Sequence, residues 1–268
     1  FGDAIILSNW ETFIKNLIFL VPTIIVFLER KNFKPIYRNT IQYFLTSFYG
    51  LLVILFCIYN LNYLPIFDFR PYKIGTYIPE KMIIPEGAPI DKYKITWIYE
   101  KNGIKKEFTT ENIPTDTSWK FVDRKQVLIK KGYTPPIHDF SIINENGEEI
   151  TDPILESKNY LFLIISNNLK KSNFEAFTKI NKIAKKLSNN ENIKFFCITA
   201  STKNEIEEFK NKIQPVFDIL TADDITLKTI IRSNPGIVLL KEGTILYKWS
   251  YRSFIKENLN KENLMAYC

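Results

Sequence analysis

The chain reads as a membrane α-helical N-terminal part followed by an α/β domain, with a small β-hairpin region between them. Three observations predict this. Two apolar segments crowd into the first 65 residues. Five prolines punctuate residues 65 to 92. From residue 137 onward, continuous apolar runs of strand length alternate with segments of helical periodicity.

The first apolar segment runs from about 10 to 28 and the second from about 41 to 61. Each approaches the ~20 residues that a helix needs to cross about 30 Å of hydrocarbon. Ser8 and Glu11 stand at capping-box spacing, where a hydroxyl and a carboxylate satisfy each other's backbone amides. Trp10, Tyr43, Tyr59 and Tyr63 lie near the segment ends, as aromatic belts do. Pro22 would break a soluble helix but is tolerated within a bilayer. The loop 29–38 holds Arg30, Lys31, Lys34 and Arg38 against Glu29 alone. The positive-inside rule makes this loop cytoplasmic and places the chain after residue 64 outside, in a bacterium the periplasm. Neither segment has the basic n-region and small-residue cleavage site of a secretory signal. The start at Phe1, with no initiator Met, is expected of a fragment.

Residues 65–134 form the predicted spacer and hairpin region. Pro65, Pro71, Pro79, Pro85 and Pro89 argue for extended chain rather than helix or sheet across 65–92. Ile95 to Glu100 and Ile104 to Thr109 flank Asn102-Gly103, the favoured two-residue hairpin turn. A second strand pair is expected at Trp119 to Val122 and Gln126 to Lys130.

The third region, 135–268, opens with a short strand, Phe140 to Ile143, turned by Asn146-Gly147. Tyr160 to Ser166 is a continuous apolar run, as in a central strand covered on both faces. Phe174, Phe177, Ile180, Ile183, Ala184 and Leu187 recur at helical spacing. Ile193 to Ala200 is a second buried strand. Thr202 and Glu205 box the start of a further helix, and Ala222 to Arg232 forms another. Ile237 to Leu240 and Ile245 to Trp249 pair across the Lys241-Glu242-Gly243-Thr244 turn, and a last helix spans about Phe254 to Leu264. The order β-β-α-β-α-(β)-α-β-β-α resembles that of a thioredoxin fold. Pro235, after Asn234 and just before a core strand, matches the proline that such domains carry there with a cis bond. Where related domains carry a Cys-x-x-Cys pair, after the strand ending at Ser166, this chain has Asn167-Asn168-Leu169-Lys170.

Phe1-Gly2-Asp3-Ala4-Ile5, Asp68 to Gly75, Ile83 to Pro89, Pro135 to Phe140, and Ile225 to Ile230 leading into Arg232 to Gly236 together resemble the DoxX family of Bacteroidetes membrane proteins. That family is related to the methylamine-utilisation protein MauE, and these members carry a periplasmic thioredoxin-like extension. The resemblance implies a Cys-Gly-Cys before Phe1 and about three more membrane helices upstream.

Composition narrows the function classes. The net charge of +7 is dispersed, with no basic patch interleaved with aromatics, so nucleic acid is not an expected partner. Cys57, Cys197 and Cys268 form no CxxC and no metal-ligand spacing, and His138 is the only histidine. No cofactor motif, metal set or catalytic constellation emerges. Cys197 reads as an inert core thiol or as a reactive one. His138 reads as a turn residue or a proton carrier. Arg232 either meets a helix dipole or grips a carboxylate. With Asn234 and Pro235, these last two are the candidate partner-binding residues. The expected partners are the lipid bilayer and a periplasmic protein or peptide. The expected role is a redox or maturation accessory, or a partner-binding module holding an extended segment by β-augmentation. The alternative is a non-catalytic subunit of a respiratory or transport membrane complex.

Overall fold

The computed structural model describes residues 7–34, 37–187 and 190–257. The Phe1 to Ile5 motif, Cys268 and the end of the last expected helix lie outside the described residues. Two compact units emerge, one built from 1–79 with 139–268 and the other from 80–138.

Helix α1, Asn9–Glu29, starts with the expected box: the Ser8 amide donates to Glu11 Oε2 at 2.7 Å, and the Glu11 amide donates to Ser8 Oγ at 3.3 Å. Helix α2 is Asn39–Asn62. Both are long and apolar enough to cross a membrane, with mean hydropathy 1.8 and 2.0, and neither has a residue buried within the structure.

The segment after α2 departs from the extended spacer predicted for it. Its backbone joins the sheet edge: the Gly75 amide donates to the Ile245 carbonyl at 2.8 Å, Ile245 returns to Thr76 at 2.9 Å, and Ile78 donates to Gly243 at 2.8 Å. Tyr72, Thr76 and Ile78 are buried, and a short helix α3, Ile78–Met82, follows. Prolines barred a long element here but left the intervening amides free to pair with an edge strand.

The unit 80–138 is an antiparallel sheet of order β2-β1-β3, with β1 Lys92–Lys101, β2 Ile104–Thr109 and β3 Lys120–Lys130. Asn102 and Gly103 both have positive φ, 53° and 79°, the conformation that the Asn-Gly turn anticipated. The expected second strand pair is instead one continuous strand. Polar Asp123-Arg124-Lys125 mimics a turn in sequence, yet these residues pair with Ile98, Trp97 and Thr96. A register shift at Ile98/Tyr99 absorbs one extra residue, Val122. Trp97, Tyr99, Phe108, Trp119 and Phe121 meet edge to face at 5.1 to 6.0 Å.

The remaining elements are α4 Thr151–Leu155, β4 Tyr160–Ser166, α5 Phe174–Leu187, β5 Ile193–Thr199, α6 Lys203–Ile213, β6 Asp218–Thr221, α7 Asp224–Ile230, β7 Gly236–Lys241, β8 Thr244–Ser250 and α8 Tyr251–Lys256. The sheet order is β6-β5-β4-β7-β8, with β4, β5 and β6 parallel and β7 and β8 antiparallel. This is the thioredoxin-like arrangement that the sequence predicts. Phe140 to Ile143 forms only bridges, from Ile143 to Glu149 and Thr221. The core lies between β4, β5 and β7 and helices α5, α6 and α8. Phe162 sits at its centre, 4.6 Å from Phe195 and 5.9 Å from Phe254. Residues of opposite parity, Leu161, Leu163 and Ile165, are also buried, which explains the unbroken apolar run of a strand covered on both faces.

Candidate functional site

Strand β4 ends at Ser166, and α5 does not begin until Phe174. Residues 167–173 form a turn, and α5 starts at Phe174, where the helical spacing of the apolar residues begins. Asn173 caps α5 by accepting the Ala176 amide at 2.9 Å. Opposite this turn lies the loop 231–235, between the end of α7 and the start of β7. Its Asn234–Pro235 peptide is cis, as the fold leads one to expect.

Side chains join the two loops. Ser166 Oγ and Ser172 Oγ are 2.6 Å apart. Ser172 Oγ lies 2.9 Å from both the Asn168 carbonyl and Asn234 Oδ1, and its single proton serves one acceptor at a time. Asn234 Nδ2 donates to the Asn168 carbonyl at 3.1 Å, and Ser201 Oγ accepts the Leu169 amide at 2.9 Å. Ser166, Ser172 and Ser201 are buried. Between the end of β4 and the start of α5, this chain thus has neutral hydroxyl and amide groups that satisfy one another.

The backbone beside this network is open. Among the described residues, the N–H groups of Ser233 and Asn234 and the Asn234 carbonyl have no hydrogen-bond partner. Ser233 Oγ donates to the Pro235 carbonyl at 2.7 Å, which holds the loop in shape. Pro235 is buried, Asn234 half-buried and Arg232 exposed. The structure therefore brings three of the four predicted residues into one loop. His138 belongs to the 80–138 unit, where it is exposed, with Nδ1 3.2 Å from the Pro135 carbonyl, the geometry of a turn residue.

Cys197 is fully buried in β5, and burial pushes its thiol pKa up, away from the thiolate that disulfide exchange needs. Cys57 lies in α2.

A second polar cluster escaped the sequence reading. Lys248 in β8 has a side chain only 2 % exposed, and its ammonium donates to Asp68 Oδ2 at 2.7 Å and to the Tyr72 carbonyl at 2.9 Å. Arg70 grips the same carboxylate from Nε at 2.9 Å and reaches the Lys228 carbonyl at 3.3 Å. Burial pushes the Lys248 pKa down to about 8, against the opposing pull of Asp68. For Asp68, burial acts upward, but the hydrogen bonds from Arg70 and Lys248 outweigh it and hold the carboxyl below its usual range. A signal was present: Lys248 is a lone charge between Tyr247 and Trp249 in a strand, and such a charge needs a counter-ion. Tyr72, whose carbonyl belongs to this cluster, packs its ring against Phe140, and its phenol is buried without a hydrogen-bond partner among the described residues.

A family described as a domain of unknown function, DUF8463, matches residues 93–131, which are the three-stranded sheet and its hairpin. No curated protein matches the chain. Among solved structures, the chain is similar to a Chlorobium tepidum protein described as a DsbE thiol:disulfide interchange protein. The identity is 15%, over 48% of this chain and 94% of that one, with a TM-score of 0.39. It is also similar to a Bacteroides fragilis thiol-disulfide oxidoreductase, at 19% identity over 48% and 93%, TM-score 0.36. StoA from Bacillus subtilis matches at 15% identity over 44% and 93%, TM-score 0.34.

Proposed function

We propose that this chain is a membrane-anchored, thiol-independent binding module whose thioredoxin-like domain holds an extended segment of a partner protein against the Ser233–Asn234 backbone. The observation that carries this reading is the open backbone beside a closed side-chain network. Unpaired N–H and C=O groups in a fixed loop present a template for another strand, the basis of β-augmentation. The neighbouring hydroxyls and amides satisfy each other and leave no thiolate to attack a bound disulfide. Two apolar helices without a buried residue supply the anchor, and the four basic residues of the 29–38 loop favour a cytoplasmic loop and a periplasmic domain. A redox or maturation accessory of the DoxX type fits the same architecture, with reactive thiols contributed from elsewhere.

The test is hydrogen exchange on the full chain in lipid nanodiscs, with and without peptides selected against it from a random library. The reading predicts slowed exchange at the Ser233 and Asn234 amides when a peptide is bound. Protection confined to other segments, or a library that yields no binder, contradicts it.

A further inference from the structure

We propose that the cleft between the C-terminal end of α2 and the 232–234 loop binds the anionic headgroup of a membrane phospholipid. This rests on the reading that α1 and α2 cross a bilayer. The cleft has a volume of about 230 Å³, and its walls include Asn60, Asn62 and Tyr63 on one side and Arg232, Asn234 and Arg252 on the other.

Charge is the first argument. Two guanidinium groups, from separate elements of the fold, line one small cleft, and no carboxylate lines it. Among the described residues, neither Arg232 nor Arg252 has an ion-pair or hydrogen-bond partner. Arg252 instead rests over the Tyr251 ring at 4.6 Å. Lys256 adds a third cation at the helix end, 3.4 Å from Tyr63 Oη and 5.8 Å from its ring centre. Guanidinium groups present paired donors that match phosphate oxygens.

Position is the second. The cleft wall is the last turn of a membrane-crossing helix, where Tyr59 and Tyr63 stack at 5.3 Å, and tyrosines of that kind mark headgroup level. The partial negative charge of the helix end is already blunted. The Asn60 and Asn62 amides donate to the Phe56 and Ile58 carbonyls at 2.8 and 2.7 Å, and the Tyr63 amide donates to the Tyr59 carbonyl at 2.9 Å. The unpaired donors among the cleft residues are the two arginine side chains, with the Ser233 and Asn234 backbone amides beside them. A free phosphate ion shares the headgroup's chemistry, but a cleft walled by a membrane helix at its interface end meets lipid first.

The experiment uses the full chain in mild detergent and native mass spectrometry with phosphatidylglycerol, phosphatidylcholine and inorganic phosphate as probes. Wild type is expected to retain phosphatidylglycerol over phosphatidylcholine, and millimolar phosphate should not displace it. The double variant Arg232→Gln/Arg252→Gln should bind phosphatidylglycerol about 30-fold more weakly, the factor for two cations at about 1 kcal/mol each near an anionic surface. A control pair on α5, Lys179→Gln/Lys185→Gln, should change nothing. Binding by the arginine variant within about threefold of wild type overturns the proposal. Displacement of the lipid by equimolar phosphate also overturns it and assigns the cleft to a free anion. Alkaline carbonate extraction of membranes separates the two readings. Release of the wild-type chain sinks the membrane anchor along with the headgroup site, whereas retention with arginine-independent lipid binding sinks the site alone.

Discussion

Asp68 serves two cations at once, and that asymmetry sets what each residue of the cluster contributes. Removing its charge leaves Lys248 and Arg70, 2 % and 13 % exposed, without a counter-ion. Removing Lys248 leaves Asp68 with Arg70 still bonded to it. Breaking a buried pair costs about 3–5 kcal/mol when a charge is stranded. Asp68→Asn is therefore expected to lose about 3 kcal/mol of unfolding free energy and Lys248→Met distinctly less, measured by urea unfolding of the full chain in nanodiscs. Equal losses, or the reverse order, would show that the cluster is not organised around Asp68. The same cluster gives a pH signature. Lys248 titrates near 8 when folded and near 10.4 when unfolded. Below pH 8 both forms are charged, and burial opposes folding in full. Between about 8 and 10.4 only the unfolded lysine holds its proton, so stability rises with pH. Wild type should thus gain on Lys248→Met across that window. Taking the difference removes Tyr72 and Cys197, whose raised pKa values weaken the fold at alkaline pH in both proteins.

Elements were legible in sequence where their determinants are local. The Thr202–Glu205 box forms at the start of α6, and the Glu242-Gly243 turn takes positive φ at both residues. Asn102-Gly103 sets the register of β1 and β2 for the same reason. What misled was polarity without context. The charges of Asp123 to Lys125 imitate a turn, but β3 is exposed along its length, so a strand there has no need of apolar alternation. The helices α1 and α2 are the elements whose orientation matters most, and the 29–38 segment between them carries four basic residues against one acidic. In a chain whose own cysteines are changed to serine, Lys31→Cys is expected to react with an impermeant maleimide in inverted vesicles and not in intact spheroplasts. Lys185→Cys on α5 should show the opposite pattern. Labelling of Lys31→Cys in spheroplasts would turn the topology over.

At the scale of the whole molecule, the cis-proline loop could be placed from sequence because Asn234-Pro235-Gly236 precedes an apolar strand. The Asp68–Lys248 pair could not, because its partners are 180 residues apart and no local pattern joins them. The hydrogen-bonded join between Asn168, Ser172 and Asn234 was hidden for the same reason: it needs the α5 turn and the loop before β7 brought together by the sheet. These contacts join neutral groups that bind one another, beside backbone amides of Ser233 and Asn234 that have no partner among the described residues. Disulfide exchange needs an attacking thiolate and a second thiol to resolve the mixed disulfide. Cys197 lies fully buried within β5. The most direct measurement is insulin disulfide reduction by the purified full chain, with dithiothreitol as electron source. Thiol-independent binding predicts no turnover above the dithiothreitol background, while peptide binding at the loop persists in Cys197→Ser. Turnover that Cys197→Ser abolishes would contradict the account and move the active centre into β5.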